Sequence, residues 1–567
     1  MATPGAPDAG AERPVRLGKA VGIAALVGLP WALLFGAWEN SARMAKDRFG
    51  SETMSLAQAA LGGAQTAFWN AVVVCAFLAL VGACMWLAVR SRGARPSVAG
   101  VAGVASAAVS MLIAHIVIQE LSGDSPEGED VAGLARLWKI AGWLVSTLAG
   151  VGIGAIVYRL VARRAKPLRL LALAVVAGIG LFAWSTHAAW QVNEKRSARA
   201  PKPSQTRPPA GAPNVVVIVM DAARADALHC YGYHRETSPN LDRLAQESAL
   251  YERAYTTATW TLPTHSSLFT GKYLSEHGTH GEYMYLEDEH VTIAELLQEH
   301  GYQTLCVSAN GNIGHSYNTV QGFERASTNV YGRRQGDSFL VRQLGRLLGK
   351  ADYGARDGNQ IAMRWVGEAV EAKRPFFLFM NYMEVHAKYG STPYAARWIP
   401  DAKTFKRALK IPQDTIAYAA GVKSATPEEF ALLRALYDGD VLYLDERVGQ
   451  IIDFLRAKGV LDNTLLIVTS DHGEELGEHG LVGHSRSIYN TVFQIPLIVR
   501  YPKAFAPGSR HKNVVEIIDF FPTILDVTGI SWEGRASLKG HSLLDKEAAS
   551  KTRYAITEKF LPGAWAT

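Results

Sequence analysis

At 567 residues with 48% hydrophobic side chains, the chain is too long for one typical domain and too apolar in its first third to be an ordinary soluble protein throughout. Its net charge of +6 is largely explained by basic clusters between apolar stretches, so it makes no case for nucleic-acid binding. The four cysteines are Cys75, Cys84, Cys230 and Cys306. The last two lie far apart outside the apolar region, which excludes a disulfide scaffold.

Five apolar stretches, near 18–38, 67–89, 97–119, 140–161 and 168–190, reach the roughly 20 residues that a bilayer-spanning helix needs. They predict that residues 1–190 form a transmembrane domain of five α-helices. Arg13, Arg16 and Lys19 precede the first stretch. Arg90, Arg92 and Arg95 fill the second gap, and Arg159, Arg163, Arg164, Lys166 and Arg169 crowd the fourth. Basic short loops stay in the cytoplasm. The expected location is therefore the cytoplasmic membrane, with the N-terminus inside and everything beyond the fifth span periplasmic or extracellular.

Residues 191–213 contain SARAPKPSQTRPPAGAP, rich in Pro, Ser and Ala, and read as an extended linker. From 214 to 567 strand-like runs alternate with helical patterns. The runs are NVVVIVMD (214–221), TLCVSAN (304–310), PFFLFMNYM (375–383), TLLIVTSD (464–471) and IPLIVR (495–500), and the clearest helical patterns cover 288–300 and 438–458. Nearly continuous apolar strands between helices predict an α/β domain with a mostly parallel central sheet covered by helices.

In such a domain functional residues collect where strands end at their carboxyl edge. The first run ends in Asp221, the fourth in Asp471-His472-Gly473, and the third leads into Glu384 and His386. Asp221, Asp471 and His472 make an O,O,N set suited to Zn²⁺ or Mn²⁺, and three protein ligands leave a coordination position for chemistry. The segment TWTLPTHSSLFTG (259–271) supplies a hydroxyl at a predicted helix start, where Pro263 fits the first turn. Thr261 there is either a helix cap or a metal-activated nucleophile facing an anionic ester at the helix N-terminus. His386 and His484 fit anion binding, leaving-group protonation or a second metal ion. His265 and His479 are equally compatible with structural roles.

The motifs NVVVIVMDAARADALHCYGY, SPNLDRLAQES, TLPTHSSLFTG, GYQTLCVSAN, FFLFMNYMEVHAKY, YDGDVLYLDERVGQIIDFL, TSDHGEELGEHGLVGH, IPLIVRYP and DFFPTILDVTG occur in this order. Across 213–530 they resemble the sulfatase-like branch of the alkaline phosphatase superfamily. The resemblance implies that branch's fold, a divalent metal, and metal-ligand roles for Asp221, Thr261, Asp471 and His472. Thr261 stands where sulfatases carry the Cys or Ser converted to formylglycine, and His265 stands where they carry arginine. Ala222 replaces a second aspartate and His472 an asparagine, so Zn²⁺ or Mn²⁺ is expected before Ca²⁺ or Mg²⁺. Five spans ahead of a threonine-bearing catalytic domain look like membrane phosphoethanolamine transferases and lipoteichoic acid synthases. In the former, histidines positioned like His386 and His484 hold phosphate or a second zinc. The chain ends where the family usually continues into a small C-terminal β subdomain, so a short C-terminus is expected.

The leading expectation is a membrane-anchored enzyme that cleaves or transfers a phosphate-ester group on a membrane lipid or glycan, with Thr261 as nucleophile. His386 and His484 assist catalysis, and His265 joins them as an anion-binding candidate. One alternative is a sulfate-ester or phosphate-monoester hydrolase working without formylglycine. The other is a non-catalytic anion- or metal-binding membrane protein.

Overall fold

The computed structural model describes residues 211–328, 352–561 and 564–566, together with the isolated positions 83, 87, 104 and 208. The five predicted spans and most of the linker lie outside the described residues. Among the described residues, no helix is long and apolar enough to cross a membrane.

The strands of the main sheet are β1 (Asn214–Met220), β2 (Ala249–Tyr255), β3 (Gln303–Ser308), β4 (Arg325–Ser327), β5 (Phe376–Tyr382) and β6 (Thr464–Thr469). A separate hairpin pairs β7 (Glu475–Leu476) with β8 (Val482–Gly483), and β9 (Gln494–Ile495), β10 (Leu497–Arg500) and β11 (Arg510–Glu516) complete the sheet. Spatial order is β11-β2-β10-β6-β1-β5-β3-β4, with β9 against β2. The run from β6 to β4 and the β11–β2 pair are parallel, whereas β10 is antiparallel to both its neighbours. The expected mostly parallel α/β sheet is therefore present.

β1 is central because its sequence can be buried on both sides. Val216, Ile218 and Met220 enter one core with α4 (Ala355–Glu371) and α5 (Pro427–Ala457), preceded in the chain by α1 (Pro239–Gln246) on that same face. Val215, Val217 and Val219 enter the other, with α2 (Thr261–Thr270), α3 (Ile293–Glu299) and α6 (Phe520–Thr528). Each such Val or Ile contributes on the order of 1.5–3 kcal/mol by leaving water. The register Val219↔Asn381 and Val219↔Thr469 brings β1, β5 and β6 to the carboxyl edge together.

Three element expectations change. The 495–500 run is broken at Pro496, which has no N–H to give a ladder, so β9 and β10 are separate strands. The 288–300 helix begins only at Ile293, where Thr292 caps it and Glu295 closes the capping box. The 438–458 helix is the C-terminal part of a longer one that starts at Pro427, capped by Thr426 and Glu429. β2 and β11 escape apolar pattern reading because exposed or half-exposed charged residues interrupt them.

Candidate active site

Asp221 follows β1, and its N–H still bonds to Tyr382 O (2.9 Å), so the sheet fixes the direction in which its side chain leaves. Ala222 then takes a left-handed φ of 64°, rare for a residue with a Cβ, which turns its N–H toward Asp471 Oδ1 (3.2 Å). The two carboxylates are thus held across the β1–β6 edge by backbone as well as by register.

Asp221 Oδ2 accepts from Asn310 Nδ2 (2.7 Å) and Asn381 Nδ2 (3.2 Å). Its Oδ1 is buried with no hydrogen-bond partner, as are Asp471 Oδ2 and His472 Nε2. His472 Nδ1 lies 3.0 Å from Gly473 O, an acceptor only, so this nitrogen carries the proton. In the neutral ring the bare lone pair of Nε2 then faces Asp471 Oδ2 at 3.4 Å and Asp221 Oδ1 at 3.7 Å. Three acceptors turned on one another in a dry site repel unless a cation lies among them. Ligand atoms of Asp221, Asp471 and His472 lie within 4.8 Å of one another, and the set fits a divalent ion that accepts nitrogen as well as oxygen.

The electrostatics agree. Burial raises the Asp221 carboxyl, but the imidazoles of His386, His472 and His265 outweigh it and hold the group below the usual carboxylate range. Burial and the neighbouring Asp221 charge push Asp471 up. Without a cation the pair does not share two full negative charges.

Thr261 is the first residue of α2, a helix whose ten residues are all buried. No side-chain capping bond starts this helix, so the plain-cap reading of Thr261 gives way. Its Oγ1 instead lies 3.1 Å from Asn310 Nδ2, the same nitrogen that bonds to Asp221. His265, one turn on, has Nδ1 2.7 Å from Thr261 O and 3.7 Å from Asp471 Oδ2, and its ring stands edge-on to Phe379. His265 therefore braces the Thr261 backbone. Its Nε2 is buried and without a partner.

His386, Glu474 and His484 form a second group whose ligand atoms lie within 4.8 Å of one another. Glu474 Oε1 meets His484 Nδ1 at 3.0 Å, and its other oxygen accepts from Tyr389 OH (2.9 Å). The His484 ring centroid lies 4.1 Å from that of His472 and 4.9 Å from that of His386, so the two groups adjoin. Burial lowers the His484 imidazole, and the neighbouring His472 lowers it further. His479 stands apart from both groups, stacked on Tyr489 at 3.5 Å between ring centroids.

The sequence reading missed Asn310, Asn381 and Glu474. The strand-edge rule held the signal for the first two, because TLCVSAN ends in Asn310 and Asn381 is the last residue but one of β5. Glu474 directly follows the Asp471-His472-Gly473 motif.

A carboxylate–imidazole cluster at the carboxyl edge of this sheet, faced by a hydroxyl at a helix start, defines a metal-dependent hydrolase of the alkaline phosphatase superfamily. The family model described as Sulfatase matches residues 213–530, more than half of the chain, and the chain belongs to the sulfatase family. It is similar to the N-acetylglucosamine-6-O-sulfatase of Bacteroides thetaiotaomicron, with 25% identity over 401 residues covering 58% of this chain and 70% of that protein. It is also similar to the multifunctional alkaline phosphatase superfamily protein PehA of Trinickia caryophylli, 27% identical over 406 residues, covering 60% of this chain and 77% of that one. Among solved structures, the phosphonate monoester hydrolase of Agrobacterium radiobacter aligns with a TM-score of 0.49 at 20% identity, over 61% of this chain and 80% of that chain.

Proposed function

We propose that this sulfatase-family enzyme cleaves or transfers a phosphate-ester group through Thr261, from a domain held at the outer face of the cytoplasmic membrane by the five apolar segments of residues 1–190. The observation that carries the reading is the side-chain amide of Asn310, which bonds to both Asp221 Oδ2 and Thr261 Oγ1 and so holds the hydroxyl beside the carboxylate–imidazole cluster. A threonine cannot be converted to formylglycine, so the hydroxyl itself has to act.

Asp221, Asp471 and His472, with Thr261, would hold one divalent ion, Zn²⁺ or Mn²⁺ by their donor set. His386, Glu474 and His484 would hold a second. A divalent ion held there would supply a lower pKa for the Thr261 hydroxyl and offset the charge of the ester; the Thr261 proton leaves to water. Thr261 Oγ1 then attacks phosphorus, the bond to the leaving oxygen breaks, and the phosphoryl group stays on Thr261. Where that second group is free of metal, the leaving oxygen takes a proton from the His386–His484 pair. The pair regains it from the water or acceptor hydroxyl that next attacks phosphorus and frees Thr261. Membrane lipids and glycans are the substrate classes that suit an anchored enzyme.

A second reading, hydrolysis of a sulfate ester by the same hydroxyl, is favoured by the sulfatase named among the relatives. The full chain, supplied with Zn²⁺ or Mn²⁺, is assayed on a lipid phosphodiester and an aryl sulfate, and the peptide containing Thr261 is weighed after a quench. A phosphorylated peptide with turnover of the diester supports the first reading. Turnover of the diester with Thr261 unmodified under single-turnover conditions overturns it, and turnover of the sulfate alone selects the second.

A further inference from the structure

Two cations follow directly on backbone anchors to the segment that leads into Thr261, without a function in the chemistry above. The loop that delivers His484 is pinned by Ser485, whose N–H bonds to Thr259 O (3.1 Å), two residues before Thr261. The next residue, Arg486, is exposed. From the other side, an extended segment near the end of the chain is pinned to the same stretch. Thr557 Oγ1 donates to Thr256 O (2.6 Å) and Glu558 N to Thr257 O (2.8 Å), which places Lys559 next. Arg486 and Lys559 are therefore each one residue beyond a bond onto residues 257–259, the segment that leads into the nucleophile.

Neither cation has a carboxylate partner among the described residues, and the nearby carboxylates are engaged elsewhere. Glu558, adjacent to Lys559, accepts from Ser275 N and Ser275 Oγ, both at 2.7 Å. Glu475 accepts from Ser487 Oγ at 2.8 Å, and Glu474 is held by His484 and Tyr389. The two backbone anchors, at Thr257 and Thr259, lie two residues apart on one segment, and partial burial, then the charge of Arg486, hold the Lys559 ammonium below its ordinary range. Anchoring two like charges at one rim with their acidic neighbours occupied costs stability, and an anion between them offsets it.

We propose that Arg486 and Lys559 form a subsite for a second anionic group of the substrate, outside the ester that Thr261 attacks. The inference rests on the ester-cleaving reading above and narrows its substrate class to esters carrying a further phosphate, sulfate or carboxylate. The same chemistry could be met by an anionic headgroup of the surrounding bilayer, and the test separates the two sources.

The full chain is given an aryl phosphodiester in two forms, one with a neutral alkyl group and one with that group ending in a phosphate. The kcat/KM ratio of charged to neutral form is measured for the wild type, for the R486Q/K559Q pair and for the R486K/K559R pair. The wild type is expected to favour the charged form about tenfold, mostly through KM, as one charge-assisted contact supplies. The ratio falls toward one in R486Q/K559Q and is largely kept in R486K/K559R. An unchanged ratio in an R486Q/K559Q protein that still turns over either ester overturns the subsite and leaves the ester-cleaving reading standing. If the wild type turns over neither form, that reading fails. Calorimetric titration with the phosphate-tailed diester then decides the subsite, equal affinity in wild type and R486Q/K559Q overturning it. Loss of cosedimentation with phosphatidylglycerol vesicles at an unchanged ratio assigns the pair to the bilayer and likewise overturns it.

Discussion

The side-chain amide of Asn310 stands 3.1 Å from the hydroxyl of Thr261 and donates to it. Because the same nitrogen is 2.7 Å from Asp221 Oδ2, one amide sets the spacing between the Thr261 hydroxyl and the Asp221 carboxylate. Asn310→Ala should lower kcat/KM by about 10- to 100-fold, the usual cost of losing a residue that orients a metal ligand. Bound metal per chain, read by elemental analysis, should fall less steeply than activity. Wild-type activity in this variant would show that the amide does not position the Thr261 hydroxyl for reaction.

Thr261 makes no cap, so its replacement separates chemistry from folding. Thr261→Ala should retain a melting temperature within a few degrees of wild type and lose at least about 10³-fold in kcat. Thr261→Ser should keep substantial activity. An Ala variant of undiminished kcat would show that the hydroxyl is not the attacking group.

Three buried acceptors without partners, Asp221 Oδ1, Asp471 Oδ2 and His472 Nε2, predict that a bound cation stabilises the folded protein. Removing divalent ions with a chelator should lower the melting temperature as well as abolish turnover, and restoring Zn²⁺ or Mn²⁺ at 100 times its dissociation constant should return about 2.7 kcal/mol. Glu474→Gln should leave the ion at Asp221, Asp471 and His472 in place and reduce total metal from two equivalents to one. A stoichiometry unaltered by this change would rule out the His386–Glu474–His484 group as a second metal site.

Acid sensitivity has a source outside the site. His277 is buried, its Nδ1 accepts from Thr279 N (3.1 Å), and its Nε2 is 3.0 Å from Ser267 Oγ. Burial and the neighbouring His290 lower its pKa from 6.5 to about 3. The unfolded chain therefore binds the extra proton first. The stability contributed by neutral His277 is complete above about pH 6.5 and is lost as pH falls toward 3, at up to about 1.4 kcal/mol per pH unit. His277→Gln can still donate to Ser267 and cannot titrate. Denaturant melts across pH 4–7 should show a shallower slope for the variant, and equal slopes would assign the acid sensitivity to other groups.

Much of this site was legible because each main ligand ends or follows an apolar run. Asp221, His386, Asp471 and His472 could be placed on one sheet edge from strand patterns alone. Asn310 was equally placed but passed over, since an amide announces no charge and no metal. The brace from His265 to the Thr261 carbonyl depends on helical spacing plus a tautomer, which no motif encodes. β2 and β11 were hidden for a different reason. They carry Glu252, Arg253, Arg510 and Lys512 at half-exposed or exposed positions, and charge masks the alternation that reveals a half-buried strand.

The placement of β1 between β5 and β6 also governs how the protein comes to exist. The contacts that assemble the site join residues 89, 160 and 249 positions apart in the chain. Closing loops of that length before any long-range contact rewards them makes folding slow. Capacity to bind metal should then return only after β6 has paired, near the end of refolding. A nascent chain released before residue 464 has neither Asp471 nor His472, and so holds only Asp221 of the three-residue ligand group.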